Sequence, residues 1–162
     1  MSCVNWCEYA GIIPDKNDPD SALQTWEITV ATFSNWFRNE ILKMWSGEAP
    51  TYQTDGQYYI ACCSTASTSE SPGTELSGDN YTRSAVTFER VSDIQRWNPA
   101  AVNSTTASDT WDDILSFTLW DAPSGGNYYA FGNLTAPVSV TANNAVQWPQ
   151  NTVIVGLGQS FG

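Results

Sequence analysis

From residue 57 onward the chain is cut into short pieces by turn-forming residues, and this feature constrains its fold more than any other. Seven segments rich in strand formers follow one another: QYYIACC (57–63), YTRSAVTFERV (81–91), DILSFTLWD (113–121), NYYAFGNL (127–134), APVSVTA (136–142), AVQWP (145–149) and TVIVGL (152–157). Asn, Asp, Gly, Pro or Ser/Thr-rich stretches separate them. Many short strands with recurring turn signals specify an antiparallel sandwich or barrel-like sheet. Side chains alternate across a strand, so Leu115, Phe117 and Leu119 share one face while Ser116 and Thr118 share the other. The expected class is mostly β: an antiparallel β-sandwich, jelly-roll-like, with Ser and Thr on exposed strand faces and in loops.

The sharpest reversal lies in FTLWDAPSGGNYYAF (117–131). Asp121 can accept from backbone N–H groups further along the turn, and Gly125, Gly126 and Asn127 can take positive φ at little cost. The stretch reads as a hairpin that closes a sheet, with Asp121 as its brace and not as a catalyst. Arg83 stands in the otherwise apolar YTRSAVTF, in a chain with 6 basic and 17 acidic residues. It is expected to pair with a carboxylate, across strands or across a subunit boundary.

One segment ahead of the strands has a helical period. In TFSNWFRNEILKMWSG (32–47), Phe33, Phe37, Ile41, Met44 and Trp45 form one apolar stripe. Ser34 or Thr32 can cap the start and Gly47 supplies a left-handed stop. The stripe is expected to lie on a sheet, with Arg38, Asn39 and Lys43 turned to solvent. Residues 1–29 carry Val4, Trp6, Tyr9, Ile12, Ile13 and Trp26 without any period, around the turn-rich PDKNDPDS (14–21). They read as an extended N-terminal arm ahead of a helix-plus-sandwich domain at 30–162. Those six apolar residues would anchor the arm on a partner, and Pro14 and Pro19 would lower the entropy cost of ordering it.

Charge and composition exclude several function classes. A net charge of −11 argues against nucleic acid and against an anionic membrane surface as partners. No apolar run is long enough to span a bilayer, and the first residues lack the pattern of a secretion signal, so a soluble product of a cytoplasm is expected. The chain has no His, hence no imidazole base for a Ser or Cys nucleophile. Acid pairs such as Asp112 with Asp113, or Asp18 with Asp20, are the coincidences expected among 17 acids. No phosphate-cradling Gly motif occurs. The expectation is no enzyme, no catalytic residue, no metal and no cofactor. Cys3, Cys7, Cys62 and Cys63 do not match zinc-ligand spacing and read as buried free thiols, although the spacing of Cys3 and Cys7 also permits a disulfide.

Taken in order, these motifs resemble those of a group of small bacteriophage virion proteins, often labelled tail-fibre-like. In that group an aromatic helix, an apolar strand and a Ser/Thr/Gly/Pro loop precede a Gly-x-x-Tyr-x-Arg-x-x-Val-x-Phe strand, matched here by GDNYTRSAVTF (78–88). A Trp, a hydrophobic step and a Gly-Gly turn follow, matched by TWDDILSFTLWDAPSGGNYYAFGNLTAP (110–137). The end is matched by VTANNAVQWPQNTVIVGLG (140–158), where Asn151 stands near a position usually held by Gly. The resemblance implies a phage structural protein made in the bacterial cytoplasm and carried on the virion exterior. Together with the small size, acidic surface and aromatic arm, it leads to an expected external capsid decoration (cement) protein. Such a protein would be a homotrimer that stabilises the head by binding the major capsid protein or other virion proteins. A small tail-fibre or adaptor subunit is the alternative, and a carbohydrate- or receptor-binding module a third.

Overall fold

The computed structural model describes residues 23–25, 29–52, 56–92 and 95–156, which hold eleven strands and one helix. The class is mostly β, built on a large curled sheet. Its centre is β8 (Ile114–Trp120) paired with β9 (Tyr128–Val138). On one side lie β3 (Tyr58–Cys63) and the short edge strand β4 (Ser84–Val86). On the other side come β2 (Thr29–Phe33), β11 (Val153–Gly156), β6 (Gln95–Trp97) and β5 (Glu89–Arg90). A second sheet holds β1 (Leu23–Thr25), β10 (Ala145–Trp148) and β7 (Val102–Asn103) in that order.

Two pairings are parallel, β1 with β10 and β2 with β11, so the sheets are mixed and not wholly antiparallel. The cause is long-range. Leu23–Thr25 pair with Ala145–Gln147 in the small sheet, and Thr29–Ala31 pair with Val153–Val155 in the large one. Parallel neighbours need a long crossover, and here nearly the whole domain supplies it. The segments NYYAFGNL and APVSVTA, expected as separate strands, are largely one: β9 continues through Pro137 to Val138. Among the described strands, β2 borders β9 only at Ala130 and Phe131, so the missing N–H of Pro137 costs no ladder bond there.

The core cluster draws on both sheets and includes Ile60, Ile114, Phe117, Leu119, Val140, Val146, Trp148 and Val153, all at most 2% exposed. Each such side chain contributes about 1.5–3 kcal/mol on burial. The opposite face of β8 is also covered, contrary to the expectation of an exposed Ser/Thr face. Ser116 and Thr118 are fully buried: the polar loop after β3 bonds to Ser116, and Thr118 Oγ1 meets Cys63 Sγ and accepts from Trp120 Nε1. Ser116 Oγ donates to the Thr65 carbonyl and meets Ser67 Oγ, each at 2.8 Å. Ser67 and Asn133 close the loop reciprocally, Ser67 N–H to Asn133 Oδ1 and Asn133 Nδ2 to the Ser67 carbonyl. A sheet face covered by a loop needs hydroxyls and amides to satisfy the loop backbone.

The helix α1 (Asn35–Ser46) begins at Ser34, whose Oγ accepts from Phe37 N–H, and ends at Gly47 with φ of 79°. Its packing face departs from the expected stripe. Trp36 and Phe37 stack on Tyr129 of β9 at 5.1 and 4.9 Å, but Met44 and Trp45 are 53% and 88% exposed. The buried residue of the helix is Glu40. Its carboxylate accepts from Thr51 N–H and Thr51 Oγ1 and from Lys43 Nζ, which rotates the contact face toward Trp36, Phe37 and Glu40.

Candidate functional site

The turn between β8 and β9 is held by a dense polar clamp. Asp121, nearly buried, accepts from Asn127 N–H and Asn127 Nδ2, both at 2.7 Å. Gly125 and Gly126 sit at φ of 60° and 80°, whereas Asn127 is not in the left-handed region. Gly126 is required twice over, since a Cβ there would meet Asp121 Oδ1 at 2.4 Å as well as adopt a strained φ. Arg83 secures this turn from outside. Its Nη1 donates to the carbonyls of Ala122 and Gly125 at 2.9 and 2.7 Å, and its guanidinium lies 4.0 Å from the Trp120 ring centroid. Nε and Nη2 make a forked bond to Glu75 at 2.8 and 2.7 Å, and the Arg83 side chain is only 5% exposed. One guanidinium thus joins the polar loop to the central hairpin.

Behind this clamp are groups with no route to reactivity. Tyr81 accepts from Cys62 N–H at 2.8 Å and touches Glu75, and burial, followed by the nearby Cys62, pushes its phenol well above the ordinary range. Burial likewise pushes the Cys62 and Cys63 thiols up, so they stay protonated and weakly nucleophilic. Both are free thiols. Among the described residues, no group of three or more His, Cys, Asp or Glu could hold a metal ion. No helix among them is long and apolar enough to cross a membrane.

Among the described residues, large exposed apolar side chains gather on α1. Arg38, Leu42 and Trp45 fall at i, i+4 and i+7 on one side of α1, where Leu42 and Trp45 are 63% and 88% exposed and Arg38 is also exposed. Next to the helix start, Phe33, Phe37, Tyr58, Phe88 and Tyr129 surround a cleft of about 270 Å³. These rings contact one another at 4.9–5.8 Å, so much of their area is spent internally.

The structure therefore brings together Arg83, Asp121, Gly125, Gly126 and Asn127, which the sequence presents 38 or more positions apart from Arg83. Val4, Trp6, Tyr9, Ile12, Ile13 and Trp26 lie outside the described residues, as do Cys3 and Cys7. Sequence reasoning missed Glu75 and Trp120 as partners of Arg83, because nothing local marks one acid among 17. It also missed Asn98, fully buried, which donates to the carbonyls of Ala100 and Pro149 and accepts from Val153 N–H. The exposed Trp45 was legible only as part of a stripe.

The motifs that converge on the clamp lie inside a stretch that matches a known family. Residues 32–156, more than three quarters of the chain, match the family described as podophage GP4 fiber I protein gp80. No curated protein matches the chain. The match begins within β2, at Thr32, and ends with the last residue of β11, so it takes in the helix, the clamp and the large sheet except the first three residues of β2. The chain belongs to the podophage GP4 fiber I protein gp80 family, a family of small bacteriophage virion structural proteins.

Proposed function

We propose that the protein is a globular subunit of a fibre assembly on the phage exterior, acting through binding surfaces and without turnover. The observation that carries this reading is the family match across the helix and the large sheet, since the matching family is named for a fibre protein. The buried, protonated state of the thiols and the structural occupation of Asp121 and Arg83 support a role without chemistry. In this reading, the residues ahead of β1, 1–22, are an arm that anchors through Val4, Trp6, Tyr9, Ile12 and Ile13 to a neighbouring subunit or another virion protein, while β1 and the start of β2, which the sequence reading assigned to the arm together with Trp26, belong to this chain's own sheets. The assembly is a homotrimer.

A second reading, the capsid decoration protein expected from the sequence, is favoured by a different observation. The described residues show no heptad or β-helix repeat from which a shaft could be built. The glycan-binding reading has less support, because the aromatic rings by the cleft stack on one another. Immunogold labelling of intact virions tests the fibre reading. Label confined to projecting fibres or their sockets supports it, and label spread over the whole head transfers support to decoration.

A further inference from the structure

Two of the chain's six basic residues stand side by side next to the aromatic cleft, in a protein with a net charge of −11. Arg90 of β5 is the direct cross-strand partner of Arg96 of β6, and Arg96 in turn lies opposite Val155 of β11. Residues directly opposite on antiparallel strands leave the sheet on one face, so the three form a row. Like charges in such a pair repel and weaken the sheet. Both arginines are exposed, and Arg96 Nη1 donates to the Ser92 and Gln95 carbonyls at 2.9 Å each, which fixes its guanidinium in place.

The row leads into the cleft of about 270 Å³, which Arg96 and Val155 both line. Leu119, Tyr129 and Ala130, each at most 3% exposed, form its floor. Tyr58 meets both Phe88 and Tyr129 edge to face, at interplanar angles of 66° and 74°. Rings set edge to face build walls and not an open platform, which suits a compact apolar body better than a sugar laid flat. An apolar recess with a few polar groups converging on it is the general form of a small-molecule site.

We propose that this cleft binds a small amphipathic anion. Its compact aromatic or branched apolar body sits between the Phe and Tyr rings, and its carboxylate, sulfonate or phosphate head lies on Arg96. A guanidinium suits such planar or multidentate acidic groups. Arg90 adds its charge beside the head, so binding replaces a repulsion between two cations with two attractions. The proposal does not rest on the fibre reading, which is tested on particles and not on the free protein.

Fluorescence titration of the full purified chain with anilinonaphthalene sulfonate, and with its uncharged relative phenylnaphthylamine, tests it. The sulfonate should bind the folded protein at a single site per chain and shift the methyl resonances of Leu119, Ala130 and Val155. Naphthoate, a carboxylate of similar shape, should displace it. Arg90→Gln with Arg96→Gln should weaken the sulfonate about tenfold, the effect of two partly exposed ion pairs, and the uncharged dye by less than about twofold. Val155→Trp, which fills the cleft, should abolish binding of both dyes. Should that variant fail to fold, the arginine variant, altered only at exposed positions, still decides. Leu42→Ser with Trp45→Ser, on the exposed side of α1, should leave both dyes unaffected. The proposal is overturned by a folded protein that does not bind the sulfonate, by failure of naphthoate to displace it, or by methyl shifts away from the cleft. Loss of binding in the α1 variant, or an equal loss of both dyes in the arginine variant, overturns it as well.

Discussion

Arg83→Ala should be among the most destabilising changes outside the apolar core. The side chain makes four donor contacts, two to Glu75 and one each to the Ala122 and Gly125 carbonyls. Buried charge-assisted bonds contribute about 1.5–3 kcal/mol each and exposed ion pairs about 0–1 kcal/mol. Arg83 is buried, but Glu75 is 29% exposed and Gly125 is exposed, so both acceptors regain water after truncation. The four contacts together then amount to about 2 kcal/mol. Lost stacking on Trp120 adds about 0.5–1 kcal/mol. A total of about 3 kcal/mol corresponds to a fall in melting temperature of roughly 6–12 °C for a domain of this size. Arg83→Lys should retain less than half of the difference, because an ammonium can neither fork onto Glu75 nor stack flat on Trp120. Differential scanning calorimetry of the two variants against wild type reads the effect. A melting temperature for Arg83→Ala within about 2 °C of wild type would refute the clamp as a source of stability.

Three further outcomes follow from the same structure. Asn98→Ala takes the Asn98 Oδ1 acceptor from the buried Val153 N–H, while the Pro149 carbonyl keeps its bonds from Thr152 Oγ1 and N–H, and should cost about 2 kcal/mol, read by chemical denaturation. Cys62 and Cys63 should resist iodoacetamide at neutral pH in the native protein and react after denaturation, as counted by intact-mass spectrometry. The bond from Lys43 Nζ, followed by the Thr51 N–H, holds the Glu40 carboxyl below its ordinary range in the folded state. The unfolded chain thus binds the proton more readily, and the stability from Glu40 is complete above an ordinary Glu pKa of about 4.3 and lost as pH falls through the lower folded value. The melting advantage of wild type over Glu40→Gln should therefore be largest near neutrality and shrink in acid.

What could be read from the sequence was local. The residues 58–63, 114–120, 145–148 and 153–156 are strands because β-branched and aromatic side chains run between turn formers. The helix ends were legible from Ser34 and Gly47, since a cap needs only a hydroxyl or a residue tolerant of positive φ. Long-range pairing was not legible. Nothing in LQT (23–25) or TVATF (29–33) reveals that each lies parallel to a strand more than 120 residues later. The burial of Glu40 depends on Thr51 closing over it, and periodicity alone placed the contact face one step around the helix. Ser116 looks like a solvent-facing residue until the 64–76 loop bonds to it, and Thr118 until Cys63 and Trp120 close on it. The clamp was half legible: turn chemistry identified Asp121 and the glycines, while Arg83 could be assigned a carboxylate partner but not a particular one.

The most direct measurement of the central claim is the copy number of this chain per virion, by quantitative mass spectrometry of purified particles against the major capsid protein. A fibre subunit should be present at a few to a few dozen copies, in multiples of three if the trimer holds. Hundreds of copies, in fixed ratio to the capsid lattice, would contradict the fibre reading and establish decoration in its place. Absence from purified virions would contradict a structural role altogether.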